Sequence, residues 1–339
     1  MLRDHPAAVV SRVVARAFRN AFQTRLGRYR HWPDQSRLID EPLSQAQERA
    51  DRLRRIYHNA TRDAWDGPAV FRDAMENHGS IQLSREKRVA LAQTITDLMW
   101  GELAAWIVAS ELSERLDEPD AKMAAASQVF DEARHFYVLR DYLAALHVPV
   151  PRLDPYFGVA ARRRLATRDL TVKLFAMQIL AEGLAVVIFR FLTDARVEPV
   201  LTEILPYFEG DEARHVGLGI MVRPRRLETL SRRKLLRIRN TTYGIGDLLG
   251  AAQLRRLEHY RLLGAEPREL MRAGDKMLFE LSPKIGPIPG TDLWFFPTNP
   301  VTDSGYDRKL DVVLPRDGAA PTLGARAAKA VVSFGARVF

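Results

Sequence analysis

Asp131-Glu132-Ala133-Arg134-His135 returns as Asp211-Glu212-Ala213-Arg214-His215, 80 residues further along the chain. Two more matches keep that offset: Glu102 with Glu182, and Glu118-Pro119 with Glu198-Pro199. Each isolated Glu stands 30 residues before the Glu of its pentapeptide, and the Glu-Pro step falls near the middle of that interval. An α-helix rises 1.5 Å per residue, so a residue about 15 positions from the turn lies roughly 22 Å along its arm. Glu102 and Glu132 therefore reach equal depth on antiparallel helices, as do Glu182 and Glu212. Within each pentapeptide Glu and His are spaced i, i+3 and share a face. Four helices thus offer Glu, Glu-x-x-His, Glu and Glu-x-x-His inward, which is a ligand set for two metal ions.

These residues resemble those of the ferritin-like di-iron carboxylate superfamily, most closely its oxygenase and desaturase branches, where the fuller Asp-Glu-x-Arg-His form occurs. The resemblance covers roughly residues 84–222. The run from Tyr57 to Trp65-Asp66, followed by Leu83-Ser84, is also similar to oxygenase-like members. It implies an all-α fold, a ferritin-like four-helix bundle with a long crossover and extra N- and C-terminal helices. It implies Glu102, Glu132, His135, Glu182, Glu212 and His215 as ligands of two Fe ions, with Mn as the other metal the set suits. It further implies an oxidoreductase that uses O2 for hydroxylation, desaturation or N-oxygenation of an organic substrate. Radical-forming reductase subunits carry a Tyr where this chain has Leu139, and arylamine N-oxygenases a further His where it has Phe208. A non-enzymatic ferroxidase and a ribonucleotide reductase small-subunit-like radical protein are the alternatives.

The chemistry asks for these residue types. Four ionised Glu match the charge of two divalent ions, and neutral imidazoles complete each sphere without adding charge. Mixed imidazole and carboxylate ligands suit iron or manganese rather than a thiol-seeking metal. Asp131 and Asp211 are expected to orient the His of the neighbouring helix, with Arg134 and Arg214 pairing to them. Trp106, Gln128, Leu139, Gln178, Val186, Phe208 and Gly219 lie four or seven positions from a ligand and are expected to line a pocket. Glu209, three residues before Glu212, stays outside the set.

Helix signals divide the remainder. Residues 6–30 read as a basic amphipathic helix, Val9, Val10, Val13, Phe18 and Phe22 alternating with Arg12, Arg16 and Arg19. Peripheral membrane contact or a transit peptide is one reading; packing on the bundle or a second subunit is favoured. A linker runs to residue 43, a short helix spans 44–60 and a loop 66–83. Ser84 caps a helix to about Leu116, Pro119 opens one to about 146, and Val148-Pro149-Val150-Pro151 stops it. The third helix, about 168–195, is almost wholly apolar from Leu174 to Leu192, with Glu182 its only acid. A membrane span is long enough to fit there, but Gln178, Glu182 and Arg190 argue for burial in protein. The fourth helix, about 199–222, ends before Pro224. A basic helix over 231–263, weakened at Gly244 and Gly246, and a shorter one over 267–282 follow. An irregular tail begins at Pro283. The domain reading is therefore 1–43, 44–222, 223–282 and 283–339.

The chain has 339 residues, no cysteine and a net charge of +9. That excludes disulfides, thiolate metal sites and an in-chain iron–sulfur cluster. The positive charge sits in residues 1–37 and 223–276, while the bundle is acidic. An acidic partner is one reading, above all a carrier protein that bears the substrate and docks on Arg232, Arg233, Lys234, Arg237 and Arg239. A solvated basic face is the other. No dinucleotide fingerprint is present, so a separate electron-donor reductase is expected. Neither nucleic acid nor a membrane span is expected. A homodimer and a cytoplasmic location complete the expectations.

Overall fold

Residues 43–228 and 230–298 are described by the computed structural model. The basic segment 6–30, the linker to residue 42, the tail beyond residue 298, His5, His31 and the side chains of Arg223, Arg225 and Arg226 lie outside the described residues. Among the described residues ten helices follow one another: α1 (Leu43–Arg62), α2 (Gly67–His78), α3 (Arg85–Arg115), α4 (Pro119–Ala145), α5 (Pro155–Ala166), α6 (Leu170–Asp194), α7 (Pro199–Glu228), α8 (Arg232–Leu254), α9 (Leu257–Leu262) and α10 (Pro267–Ile285). Among the described residues no strand forms; one isolated bridge joins Pro287 to Trp294.

Hairpins α3–α4 and α6–α7 make the four-helix bundle. Ser84 accepts the Lys87 N–H to start α3, and Pro119 stands in the first turn of α4. Leu91, Ile95, Val138, Tyr142, Phe189, Ile204 and Phe208 fill one end of the bundle. At the hairpin-turn end of α3 and α4 the fill is smaller: Ala104, Ala105, Ala121, Ala124 and Ala125 with Leu174 and Met177. Alanines let the backbones approach closely, and the four inward Glu residues lie between these apolar layers. α6 is long and apolar enough to cross a membrane, yet most of it is buried in this bundle.

Several boundaries differ from expectation, each for a physical reason. Residues 66–83 are not all loop. Asp66 caps α2 by accepting the Ala69 N–H, and Gly67 serves close approach rather than a turn. A Cβ there would sit 2.7 Å from the Tyr137 hydroxyl. The crossover holds α5, capped by Asp154 through the Tyr156 and Phe157 N–H groups. α7 continues through Pro224, because Leu227 is buried against Leu235 and Ile238 and holds the last turn. The basic helix breaks at Arg255-Arg256, whose side chains turn inward to Asp154 and Asp97, and not at its glycines. α10 runs on through Pro283 to Ile285.

α6 carries the largest departure. Leu174–Ala181 is π-helical, and the Glu182 N–H bonds the Met177 carbonyl five residues back. The wider turn brings Gln178 against Gly219 of α7, where a Cβ would lie 2.6 Å from the Gln178 Cβ and 3.3 Å from its carbonyl carbon. Gly219→Ala should therefore push α7 off α6 and cost about 1–3 kcal/mol. Urea unfolding of the metal-free variant measures this; an unchanged midpoint would show that the two helices separate freely.

Candidate metal centre

The i, i+3 spacing on α4 and α7 turns Glu132, His135, Glu212 and His215 into the bundle axis, and Glu102 and Glu182 meet them from α3 and α6. All six are buried. They form two groups whose ligand atoms lie within 4.8 Å of one another: Glu102, Glu132, His135 and Glu212, and Glu132, Glu182, Glu212 and His215. Glu132 and Glu212 belong to both. The cluster is able to bind two metal ions.

The imidazole geometry fixes which atoms face inward. Nδ1 of His135 lies 3.1 Å from Glu212 Oε1, and Nδ1 of His215 lies 3.1 Å from Glu132 Oε1. Nε2 of His135 points instead to Asp211 Oδ2 at 3.0 Å, and Nε2 of His215 to Asp131 Oδ2 at 3.3 Å. Each Asp thus serves the His of the other helix, holding the proton on Nε2 and leaving Nδ1 free for a metal. Arg134 donates to Asp131 at 2.6 Å and to Asp211 at 2.7 Å, and Arg214 contacts both acids from the other side.

Three atoms test whether metals fit. His135 Nδ1, Glu132 Oε2 and Glu212 Oε1 are buried without a hydrogen-bond partner in the protein. Buried polar atoms left unpaired are costly, and here they converge on one another. Two cations satisfy them.

No family model and no curated protein sequence matches the chain. Solved structures do. A variant of an R2-like ligand-binding oxidase with aerobically reconstituted Mn/Fe cofactor superposes with a TM-score of 0.52 at 16% identity. The match covers 69% of this chain and 94% of that one. A second R2-like ligand-binding oxidase structure, with its metal cofactor after photoconversion, also gives 0.52, at 15% identity over 69% and 93%. The fold is ferritin-like.

A cavity with about 50 Å³ of space for the centres of water-sized molecules adjoins this cluster of the ferritin-like fold. It opens beside Glu102 and Glu182, between α3, α5, α6 and α8. Its apolar wall includes Leu98, Ala105, Phe157, Met177, Ala185 and Ile188; besides the two Glu, its polar groups are Arg164, Thr94, Asp97, Gln253, Arg256 and Tyr260. None of Trp106, Gln128, Leu139, Gln178, Val186, Phe208 and Gly219 lines it, contrary to expectation. Packing explains the difference. Phe208 stacks on His135 with ring centroids 4.5 Å apart, and Gly219 closes on Gln178. Leu139 is core, while Gln128 donates to Glu132 at 2.7 Å and Glu182 at 3.0 Å. Those sides of the ligands are filled, and the space lies instead along Leu98 and Ala105 of α3 and Met177 and Ala185 of α6, on the faces that look toward α5 and α8.

Sequence spacing misses several neighbours. Trp65, just ahead of α2, donates its indole N–H to Asp211 at 2.9 Å, with the Arg134 guanidinium 4.6 Å over its ring. Only the Trp65-Asp66 step hinted at it, and that step shares no periodicity with the repeats. Glu209 pairs with Arg190, outside the centre.

Protonation follows from this crowding. Burial alone would lower the pKa of His135, but the hydrogen bond to Asp211 and the nearby carboxylates of Glu102, Glu132 and Glu212 raise it well above the usual range. His215 is raised likewise against burial, by Glu132 and Glu212. Burial, reinforced by neighbouring carboxylates, also lifts Glu102 and Glu182. The metal-free centre therefore holds protons at neutral pH that divalent ions must displace. Metal uptake should release protons and strengthen as pH rises, and acid should expel the ions. Calorimetric titration in buffers of different ionisation enthalpy counts these protons; uptake without release would contradict the assignment.

Proposed function

We propose that the protein is a di-metal oxidoreductase that uses O2 to oxidise an organic substrate, with Glu102, Glu132, His135, Glu182, Glu212 and His215 as its metal ligands. The observation that carries this reading is the cavity reaching the two carboxylates that are not shared, Glu102 and Glu182. A centre that only stored or shuttled metal has no use for apolar space at that place. Two Fe ions, or Mn and Fe as in the first of the similar solved structures, would when bound pass electrons to O2 and so generate the oxidising power. The protein's own part is positional. Asp131 and Asp211 hold the imidazoles in one tautomer, and Arg134 and Arg214 offset the charge of those acids. Leu98, Ala105, Met177 and Ile188 keep water from the face where substrate lies. Hydroxylation and desaturation both fit such a pocket.

Electrons come from a separate reductase. Arg232, Arg233 and Arg237 are exposed on α8 and suit an acidic carrier protein. Lys234 and Arg239 contribute less, being engaged with Asp169 and with the Trp294 carbonyl.

The test is O2 consumption by protein loaded anaerobically with ferrous iron. A single stoichiometric burst is expected, without a persistent tyrosyl radical in electron paramagnetic resonance, since Leu139 stands where a radical Tyr would. O2 consumption that continued in proportion to added excess iron would favour a ferroxidase instead.

A further inference from the structure

Arg164 of α5 is 1% exposed and lines the same cavity as Glu102 and Glu182. Its Nε and Nη1 are buried without hydrogen-bond partners, and its guanidinium carbon lies 5.9 Å from the Phe157 ring centre. Other buried cations nearby are matched: Arg134 with Asp131 and Asp211, Arg256 with Asp97, and Lys173 with Glu111 at 2.5 Å. The charge that most supports Arg164 is Glu182. Glu182 is engaged otherwise, with one oxygen accepting from Gln128 at 3.0 Å and the residue belonging to the metal cluster.

Charge balance leads the same way. The four Glu and two Asp of the centre, offset by Arg134 and Arg214, leave four negative charges. Two divalent ions cancel these. Arg164 then remains as one uncompensated positive charge facing an apolar cavity, and burying an unpaired charge is costly. Burial lowers its pKa, with Glu182 opposing, only to about 10, so the charge persists at neutral pH. At the other polar end of the cavity the charges are already paired, Arg256 with Asp97, and the Tyr260 hydroxyl bonds Gln253 at 2.6 Å, so that only the neutral Thr94 hydroxyl is left unpaired there.

We propose that Arg164 anchors the substrate, a small organic monocarboxylic acid whose carboxylate takes the unmade guanidinium hydrogen bonds while its hydrocarbon part lies along Phe157, Met177, Ala185 and Ile188. A guanidinium fork suits a carboxylate better than any neutral group, and the pair is strongest away from water. The anchor therefore orients the acid with its carbon chain, not its charge, toward the oxidising centre. This rests on the reading of the cavity as the substrate site.

The test is calorimetric titration of metal-loaded protein with butyrate and with butyramide, a neutral amide of nearly the same shape. A charge-assisted hydrogen bond corresponds to about ten-fold or more in affinity, so butyrate should bind that much tighter. Arg164→Gln should abolish the preference, lowering butyrate affinity by about the same factor and leaving butyramide unchanged. Arg164→Lys, which keeps the charge without the planar fork, should lose only part of it, and serves if the Gln variant does not fold. Equal binding of acid and amide by the wild type, or butyrate affinity undiminished in both variants, would overturn the proposal and leave Arg164 a counter-charge to Glu182. Metal content measured on the same samples keeps the two readings apart: wild type lacking two ions contradicts the di-metal centre, whereas normal metal content with no Arg164 dependence contradicts the anchor alone.

Discussion

Glu132→Ala and Glu212→Ala should each leave the protein almost without metal, whereas Glu102→Ala and Glu182→Ala should each leave about one ion per chain. The difference follows from membership of the two ligand groups, since Glu132 and Glu212 stand in both and Glu102 and Glu182 in one each. Loss of a shared carboxylate removes a ligand from both ions and leaves the opposing imidazole Nδ1, at 3.1 Å in either direction, facing unscreened positive charge. Loss of an unshared one leaves the other group complete. Elemental analysis of protein from iron-replete cells, with circular dichroism to confirm folding, reads the result directly. Near-complete metal in Glu132→Ala would show that the ions do not share that residue.

Arg256→Leu should destabilise the fold by about 3–5 kcal/mol, the penalty for removing one partner of a buried ion pair. Arg256 donates two hydrogen bonds to Asp97 Oδ2, at 2.9 and 2.7 Å, and both side chains are nearly inaccessible. Burial already lifts the Asp97 pKa, and the Arg256 charge is the largest influence opposing that lift. Without it, Asp97 keeps only the Asp154 N–H, at 3.0 Å. The double variant Asp97→Leu/Arg256→Leu should recover only part of the loss, because it removes the orphaned Asp97 charge but leaves Asp154, 3.3 Å from Arg256 in the wild type, to Arg255 alone. Urea unfolding of the single and double variants makes the comparison. A single variant as stable as wild type would mean that water reaches Asp97, and the cavity wall would then be far wetter than its lining suggests.

The parts of this molecule that were legible in the sequence are those written in local spacing. The i, i+3 pairs and the 30-residue intervals named the six residues that now lie together, because helix geometry converts sequence distance into position with little freedom. Ser84 and Pro119 marked helix starts for the same reason. What was not legible depends on which helix packs against which. Arg164 reaches the cavity from the crossover, and Arg256 from beyond the bundle, with no spacing to announce either. The π-helical turn before Glu182 shows no signature in an apolar run, since the same residues would satisfy an ordinary helix. Equal spacing from a ligand cannot say which face stays open: Phe208 and Gly219 fill theirs, and the cavity beside Glu102 and Glu182 is lined by other residues.

The crossed pairing of Asp131 with His215 and of Asp211 with His135 ties the histories of the two halves. If each helix oriented its own His, one repeat could drift while the other kept its ion. Here a change in either pentapeptide reaches the histidines of both, so neither copy is a spare. Divergence between the repeats is left to positions outside that exchange, such as Leu139 against Gly219, each four residues after its His.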